Sequence, residues 1–370
     1  MAANDASELR RVLDAYVGTG AERPGFVARN AVSKDVIRQM TDAVGDRNPI
    51  YTNETFAQRS IHAGIVAPPT WLHGWSLPAL EPESESDPIV DGIRRFTLLP
   101  GGQRRKVAER VTIRDEINEL LARHGYDAPA VTNMEFEYLR YLRPGDLLHY
   151  SSWTIEEIAG PKATRLGEGF FITISLAVTD QGGNRVATVR QTYLRSKPDP
   201  AAAAKPATGA APGQGASPAP TVAPVGSDDR MPSVGDALPP LVVDITPTLI
   251  VAGALAGQDF QDVHHDVPSA RRRGHPDIFM NVVTTSGLIG RFVTDWAGPD
   301  AIIKKLQLRL GRPNYPGDQM LMTGKITSLD EKSGLAAVAV VGRNRLGDHV
   351  TSTVTLVLAG ASHHRRRPAT

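Results

Sequence analysis

The chain has 370 residues, with 41 Lys and Arg residues against 40 Asp and Glu residues and a formal net charge of +1. This balance gives no electrostatic footprint for nucleic acid, and no stretch approaches the roughly 18 consecutive apolar residues of a membrane span. The N-terminus has no apolar segment typical of secretion signals, and the absence of cysteine excludes disulfides, thiolate zinc sites and a cysteine nucleophile. We therefore expect a cytoplasmic protein that neither binds nucleic acid nor enters a membrane.

The length predicts two domains, the first preceded by an N-terminal extension over residues 1–24. In this first domain, residues 25–197, we expect one helix near 34–44 and another that starts around Pro68. Alternating segments from about 132 to 196 predict strands that complete the domain.

Residues 198–233 separate the two domains. This segment is rich in Ala, Pro, Gly and Ser and has almost no large apolar residue, so it cannot form a core and is typical of a flexible linker. The second domain then covers residues 234–360. Residues 361–370 form a short basic tail, which we interpret as a solvated terminus; the alternative is an anion-binding arm.

The second domain contains the clearest helix pattern. Asp277 is a candidate N-cap for a helix over about 278–296, because apolar residues recur there at helical spacing. Ser286 and Gly287 lie in the middle of this helix, where small side chains let a sheet approach closely. The apolar face consists of Ile278, Val282, Ile289, Val293 and Trp296.

Alternating segments follow the helix at 301–310, 318–329 and 334–359, the last interrupted by a turn near Asn344–Asp348. Apolar residues at every second position, joined by short turns, predict an antiparallel sheet. One long helix wrapped by such a sheet is the hot-dog arrangement, so the fold class is α+β.

The two domains repeat each other weakly. The first contains an Asp-centred loop at 45–51 and a Pro-Gly-Asp turn at 144–146; the second contains a similar loop at 257–264 and a similar turn at 316–318. We interpret the Asp residues of these turns as structural, because Pro fixes φ and Gly takes a positive φ in such a turn. Two copies of one small domain in a single chain indicate a pseudo-dimer.

The second Asp-centred loop carries the candidate chemistry. Asp259 and His264 are five positions apart, and a carboxylate and an imidazole held together can grip one water and move protons to and from a substrate. Such a pair is a weak signal by itself. The duplication and the helix that follows strengthen it.

Both Asp-centred loops resemble the motif of MaoC-like hydratases and dehydratases, roughly Gly-Asp-x-Asn-Pro-x-His. The first domain matches from Gly45 to Ile50 but has Tyr51 where the family has His, and the second keeps Asp259 and His264 with Gln-Asp in place of Asn-Pro. The segments QDVHHD, DIFMN, TDWAGP and RLG resemble the small subunit of bacterial steroid side-chain enoyl-CoA hydratases, and the first domain resembles a MaoC-like partner subunit fused to it. The resemblance implies a double hot-dog fold.

The resemblance also implies a reaction. Asp259 and His264 would hold the water that adds across the 2,3 double bond of an enoyl-CoA thioester. The thioester oxygen gains negative charge, and the N–H of Ile278, at the predicted helix N-terminus, is our candidate donor to it. The reaction requires no cofactor, since coenzyme A is part of the substrate. No metal is expected, because His62, His73 and His124 show no metal spacing.

The first domain is expected to be inert. Tyr51 is a poor proton shuttle near neutral pH, because the ordinary tyrosine pKa is about 10. Pro68 and Pro69 begin the corresponding helix, and proline has no N–H to donate. We expect this domain to bind the acyl group and to complete a continuous sheet. The alternative is a second active site in which Tyr51 is a substitute acid.

The acyl and coenzyme A sites are less defined. Between Asp46 and Gly145 there are 99 positions, against 58 between Asp259 and Gly317, so the first domain has extra residues, mostly within 76–130. They either widen the acyl tunnel or cover the outside of the sheet, and the steroid-hydratase resemblance favours the wider tunnel. Candidates for coenzyme A phosphate contacts, against an alternative as solvated charges, are Lys304, Lys305, Arg309 and Arg312.

The sequence thus favours a steroid side-chain enoyl-CoA hydratase. One alternative is a 3-hydroxyacyl dehydratase that acts on linear chains carried by coenzyme A or acyl carrier protein, and another is a non-catalytic acyl-thioester-binding subunit. Expected partners are the acyl-CoA substrate and either a second copy of the chain or a downstream aldolase- or thiolase-type enzyme.

Overall fold

The computed structural model describes residues 2–23, 25–77, 113–164, 167–197 and 232–359. Nearly all of the predicted linker and the whole basic tail lie outside these residues, as does most of the insertion, so the domain boundaries stay a prediction. No helix in the described ranges is long and apolar enough to cross a membrane.

The helix predicted near residues 34–44 is present in the first half. Helix α2 has Ser33 as N-cap, whose side chain accepts from the Val36 N–H, and it ends at Gly45, whose φ of 66° is available to glycine at little cost. The predicted helix near 34–44 is therefore confirmed. The helices are α1 Ala2–Asp14, α2 Lys34–Val44, α3 Pro49–Thr52, α4 Glu54–Arg59, a 3-10 helix Pro69–Ser76 and α5 Ile113–Arg123. The strands are β1 Phe26–Val27, β2 Ala128–Tyr138, β3 His149–Tyr150, β4 Thr154–Thr164, β5 Gly167–Thr179 and β6 Arg185–Ser196.

The second half repeats this order of elements. The elements are β7 Ala237–Asp244, α6 Pro247–Ala256, a 3-10 helix Asp262–His264, α7 Val267–Arg272, α8 Val282–Ala297, β8 Ile302–Leu310, β9 Gln319–Asp330, β10 Leu335–Asn344 and β11 Gly347–Val357. Strands β8 to β11 fall on the three segments predicted from alternation, and the last two are joined at Asn344–Gly347, whereas β7 was not predicted.

Helix α8 starts four residues later than the predicted start at residue 278. Asn281, not Asp277, is its N-cap, because the Asn281 side chain accepts a hydrogen bond from the Thr284 N–H at 2.8 Å. The Asp277 carboxylate instead accepts from the N–H of the next residue, Ile278, at 2.7 Å. Ile278 is buried in a non-helical segment, so its apolar character extended the helical pattern beyond the real helix.

The strands form one sheet that runs through both halves. Its order is β1-β3-β5-β6-β2 in the first half and β8-β11-β10-β9-β7 in the second, with β4 paired to β5. Strands β2 and β8 join the halves in antiparallel register, with Phe136 opposite Leu306 and Met134 opposite Leu308. Since each half has the same strand order and the equivalent strands meet at the centre, the chain is a pseudo-dimer. The predicted α+β double hot-dog fold and its continuous sheet are confirmed.

The matching Pro-Gly-Asp turns show the duplication at the level of single hydrogen bonds. The Gly145 N–H donates to Val32 O and the Gly317 N–H donates to Ile245 O, each at 2.8 Å. Both glycines have positive φ, 97° and 85°, as the turn interpretation requires. Asp318 accepts from the Tyr315 N–H as Asp146 accepts from the Arg143 N–H, so both carboxylates are turn caps.

Helix α8 packs against the first half through its small residues. A Cβ at Gly287 would lie 2.5 Å from the Trp71 ring, and one at Gly290 would lie 2.3 Å from Thr70 Oγ1. The element that approaches is therefore the 3-10 helix Pro69–Ser76, not a sheet as the sequence suggested. Arg291 adds a 2.6 Å hydrogen bond from its guanidinium to Val44 O at the end of α2. The main core consequently contains residues from both halves.

A second apolar cluster covers the other end of the first-half sheet. Leu13 of α1 and Ile117 of α5 pack with Ile172 of β5, all fully buried. Ile172 and Leu176 share one side of β5 by strand alternation, and Leu176 belongs to the main core. The described part of the insertion therefore extends the core along the inner face of the sheet and does not cover its outside.

We predict that Gly287→Ala destabilises the protein by about 1–3 kcal/mol, although Ala normally stabilises a helix interior by about 1 kcal/mol relative to Gly. The added methyl group must displace the Trp71 ring. Urea denaturation of Gly287→Ala, Trp71→Leu and the double variant measures the coupling. Gly287→Ala should cost clearly less in the Trp71→Leu background; equal costs in both backgrounds would show that the ring contact is unimportant.

Candidate active site

The loop after α6 presents Asp259. Gln258 has a positive φ of 55°, which is uncommon for a residue with a side chain and stores strain at this point. The first half has Gly45 at the same place, with φ 66°. The Asp259 N–H then donates to Ala254 O at 2.9 Å, which turns the Asp259 side chain into the protein, where it is 5% exposed.

Donors surround the Asp259 carboxylate. Oδ1 accepts from Gln261, through the side-chain amide at 3.1 Å and the backbone N–H at 3.4 Å. Oδ2 accepts from Asn281 Nδ2 at 3.1 Å and lies 3.3 Å from His264 Nε2. Burial raises the pKa of Asp259, but the hydrogen bond and charge of His264 and the bonds from Gln261 outweigh it, so the pKa is lowered. Asp259 is therefore held as a carboxylate despite its burial.

His264 has its orientation fixed by the backbone. Its Nδ1 lies 2.7 Å from Phe279 O, and because a carbonyl oxygen only accepts, Nδ1 carries a proton. Nε2 then faces Asp259 and can hold or release the second proton. His264 is 4% exposed, and the Phe279 ring meets its ring edge-on at 5.1 Å. The two groups of the pair thus have a fixed mutual orientation.

Ile278 does not lie at the N-terminus of α8, where the sequence predicted it. Its N–H donates to Asp277 Oδ1, and the N-terminus of α8 lies at Val282. The assignment of Ile278 as donor to a developing oxyanion is therefore wrong in its physical basis, since the helix dipole and the unpaired N–H groups belong to the first turn after Asn281.

Asn281 is the residue that sequence reasoning missed. It caps α8 through Oδ1 and holds Asp259 through Nδ2, so one side chain ties the candidate catalytic loop, which carries Asp259, to the helix. The available signal was an Asn directly before an apolar helical run, which is a standard N-cap pattern. Its second role could not be read from sequence because Asp259 is 22 residues away.

The first half has the same backbone arrangement but not the side chains of His264 and Asn281. Helix α4 starts at Glu54 and α7 starts at Val267. The distance along the sequence from Asp46 to Glu54 is the same as that from Asp259 to Val267. The Val66 N–H donates to Ile50 O as the Phe279 N–H donates to Val263 O, at 3.4 and 3.3 Å. By this correspondence, Tyr51 and Pro68 stand where the second half has His264 and Asn281.

Asp46 lacks these stabilising donors. Burial raises its pKa to about 6, and the Asn48 N–H only partly offsets this. Burial also raises the pKa of Tyr51 well above 10, so Tyr51 is a neutral phenol at physiological pH. The two halves thus place equivalent Asp residues in opposite electrostatic situations.

The first half nevertheless touches the catalytic loop. A Cβ at Gly74 would lie 3.0 Å from Gly257 O, so the 3-10 helix Pro69–Ser76 runs directly beside the loop that leads to Asp259. Burial lowers the pKa of its neighbour His73 to about 4, against a smaller opposing effect of the Asp259 charge. His73 is therefore a neutral imidazole near the catalytic carboxylate. Within the described residues, no group of three His, Asp or Glu side chains could hold a metal ion.

The four candidate coenzyme A contacts do not form one cluster. Lys305 pairs with Glu135 at 2.8 Å, and Arg309 lines a groove on the same outer face of the sheet. Lys304 instead lines a cavity beside Tyr141 of the first half, because the register of β8 against β11 shifts at this point. Arg312 lies in the turn after β8, where its carbonyl accepts from His349. Strand alternation and the bulge separate residues that are close in sequence, and their contact with the phosphates of coenzyme A stays a prediction.

The fold and the contact between Asp259 and His264 define a double hot-dog protein with a candidate acid–base pair in its second half. Residues 25–189 match the family model described as the FAS1-like dehydratase domain region. A 126-residue stretch is 53% identical to the 3-oxo-4,17-pregnadiene-20-carboxyl-CoA hydratase beta subunit of Mycobacterium tuberculosis, covering 34% of this chain and 96% of that relative. The chain belongs to the MaoC-like enoyl-CoA hydratase/dehydratase family.

Two further comparisons agree with this membership. A probable enoyl-CoA hydratase alpha subunit of Thermomonospora curvata is 32% identical over 193 residues, which cover 52% of this chain and 53% of that protein. The chain thus spans about half the length of this second relative. A solved structure of a MaoC-like dehydratase superimposes with a TM-score of 0.63 at 23% identity, over 94% of this chain and 100% of that one, which shows the fold. The resemblance to steroid-hydratase subunits found in the sequence is confirmed.

We predict that Asp46→Asn stabilises the folded protein by about 1–3 kcal/mol at pH 8, since one pKa unit corresponds to about 1.4 kcal/mol. The folded pKa of Asp46, about 6, lies above the ordinary value of 3.8, so the folded state keeps a proton that the unfolded chain has lost. Wild-type stability therefore falls as pH rises between these values and stays lower above pH 6. Urea denaturation between pH 5 and pH 8 should show a gain that shrinks towards acid pH. A gain independent of pH, or no gain at pH 8, would contradict this assignment.

Proposed function

We propose that this protein is an enoyl-CoA hydratase that adds water reversibly across the 2,3 double bond of an acyl-CoA thioester. The observation that carries the proposal is the buried contact of 3.3 Å between Asp259 Oδ2 and His264 Nε2, in a frame that fixes both groups. The relatives named as enoyl-CoA hydratase subunits supply the reaction class.

The pair supports a balanced proton transfer. Asp259 accepts a proton from a water molecule while the water oxygen bonds to the β-carbon of the enoyl thioester. The His264 Nε2–H gives its proton to the α-carbon, and the π electrons of the double bond form the new C–H bond. A proton then passes from Asp259 to His264 across their contact, so both groups return to their starting state. No cofactor enters this proposed sequence.

The thioester oxygen needs donors while it carries negative charge. We infer that they come from the first turn of α8, which begins at Val282 directly after the Asn281 cap. The same cap holds Asp259, so the carboxylate and the helix N-terminus are fixed relative to each other. One well-placed donor of this kind stabilises the transition state by about 3 kcal/mol.

The first half takes no part in the proposed chemistry. Tyr51 cannot shuttle protons at neutral pH, and Pro68 can neither cap a helix through a side chain nor hold Asp46. The proposed role of this half is to support the catalytic loop through Gly74 and α8 through Trp71. It also provides the proposed acyl-binding surface.

We further propose a steroid side-chain enoyl-CoA as substrate. The relative that is 53% identical is named for a pregnadiene-carboxyl-CoA, a rigid fused-ring acyl group. We also propose that the protein associates with further protein subunits, because that relative and the Thermomonospora curvata protein are both named as subunits. A non-catalytic binding role is disfavoured, since the Asp259 and His264 side chains point towards each other.

We predict that Asp259→Asn and His264→Ala each lower turnover of an enoyl-CoA by about 100-fold or more, the scale of lost acid–base catalysis. The decrease of absorbance of the conjugated enoyl thioester measures the rate. Tyr51→Phe is the matched control in the first half and should stay within a few-fold of wild type. Near-normal rates for either second-half variant, or a comparable loss for Tyr51→Phe, would refute the assignment of the site.

A steroid enoyl-CoA with a shortened side chain should be preferred over crotonyl-CoA by at least about tenfold in kcat/KM, equivalent to roughly 1.4 kcal/mol. Fused rings bury far more apolar area than a four-carbon chain, at about 25 cal/mol per Å². Both constants are to be measured under identical conditions. Preference for crotonyl-CoA or a longer linear enoyl-CoA would favour the linear-chain dehydratase instead.

A further inference from the structure

A cavity of about 200 Å³ lies between the first half and β8, at the place that corresponds to the surroundings of Phe279 and Tyr315 in the second half. Its floor is apolar, formed by Val66 and Tyr141 of the first half and Ile302 of β8. Its basic lining residues are His62, Arg140, Arg143 and Lys304. We refer to this space as the first-half cavity.

The duplication explains why this space is open. Val66 corresponds to Phe279, and Arg143 corresponds to Tyr315, as their matched backbone hydrogen bonds show. In the second half the Phe279 ring packs on His275 at 4.2 Å, and the Tyr315 hydroxyl lies 2.9 Å from His275 Nδ1. These two aromatic side chains fill the space that Val66 and Arg143 leave empty.

The cavity carries positive charge at its rim. Asp146 and Asp180 both pair with Arg140, so its charge is compensated. Arg143 is exposed, and its guanidinium donates to a backbone oxygen, His62 O, at 2.6 Å, so that bond leaves its charge uncompensated. Lys304 is half-buried on the other side of the cavity.

Two buried polar atoms of the lining also lack a protein partner. His62 is 9% exposed and its Nε2 makes no hydrogen bond, and the same holds for the hydroxyl of Tyr138, which is 4% exposed; both statements refer to the described part of the chain. An unpartnered buried polar atom costs about 1–3 kcal/mol, so a group that enters the cavity and bonds to it is favoured.

We propose that the first-half cavity binds a small organic carboxylate with a short apolar chain, independently of the catalytic centre. The apolar chain lies against Val66, Tyr141 and Ile302, and the carboxylate meets Arg143 and Lys304 and accepts a hydrogen bond from His62 Nε2. Pentanoate, which has a carboxylate and a short apolar chain, is the probe for such a ligand.

The test is titration of the full-length protein with pentanoate, followed by calorimetry and ligand-observed NMR. We expect a dissociation constant of about 1 mM, the scale for a ligand of this size. Val66→Phe and Arg143→Tyr, which introduce the second-half residues, should each weaken binding at least tenfold. Lys325→Gln, a change of an exposed lysine on β9, and His264→Ala in the catalytic centre should leave binding unchanged. Thermal unfolding of each variant checks that it is folded, and Arg143→Tyr on the rim decides the test if Val66→Phe does not fold.

Three results would overturn the proposal. Equal binding of 1-pentanol would show that the basic rim is not used, and equal or tighter binding of inorganic phosphate would show that the apolar floor is not used. Loss of pentanoate binding in His264→Ala, with retention in Arg143→Tyr, would place the ligand in the catalytic centre. Binding that responds to Val66→Phe and Arg143→Tyr alone supports the proposal, whatever the outcome for hydratase activity.

Discussion

The antiparallel pairing of β2 with β8 is the contact on which the rest of the molecule depends. It sets Phe136 beside Leu306 in a core shared by both halves, and the Tyr141 hydroxyl reinforces it by accepting from the Ile303 N–H at 2.8 Å. Because the sheets are joined, the 3-10 helix Pro69–Ser76 of the first half packs on α8. The absence of a side chain at Gly287 leaves room there for the Trp71 ring. The catalytic loop then rests against Gly74. The geometry of Asp259 is therefore a property of the fused pair, not of one half.

The duplicated Asp residues separate the effect of burial from the effect of partners. Asp46 and Asp259 sit at equivalent places in equivalent loops, and both are nearly inaccessible to solvent. Burial alone would raise both pKa values, as it does for Asp46. Asp259 has the opposite shift because His264 and Gln261 donate to its carboxylate. The charge state of a buried Asp in this frame thus depends on a few donors, which the first half does not offer to Asp46 in the same way.

The sequence predicted what local patterns determine and missed what depends on distant contacts. Helix α2 and strands β8 to β11 followed from capping and alternation, and the fold followed from the long helix, the alternating segments and the resemblance of the two Asp-centred loops. The start of α8 was wrong because Ile278 is buried by a loop, and burial has the same hydropathy signal in a loop as in a helix. Lys304 and Lys305 were grouped because they are adjacent, whereas a register shift in β8 points them to different places. The link from Asn281 to Asp259 spans a loop and a helix that no local pattern connects.

Different residues of the first half pack on the second half and distinguish the two Asp-centred frames. Thr70, Trp71 and Gly74 face α8 and the catalytic loop, and a larger or smaller side chain at these points would shift α8 or the loop that holds Asp259. Tyr51, Val66 and Arg143 stand instead at the positions equivalent to His264, Phe279 and Tyr315 of the second half. The residues that pack on the second half are therefore not the residues at which the two frames differ. A duplicated domain can lack the Asp–His pair and still determine the geometry of its partner, because the frame of the pair and the packing surface use different residues of the same loop and helix.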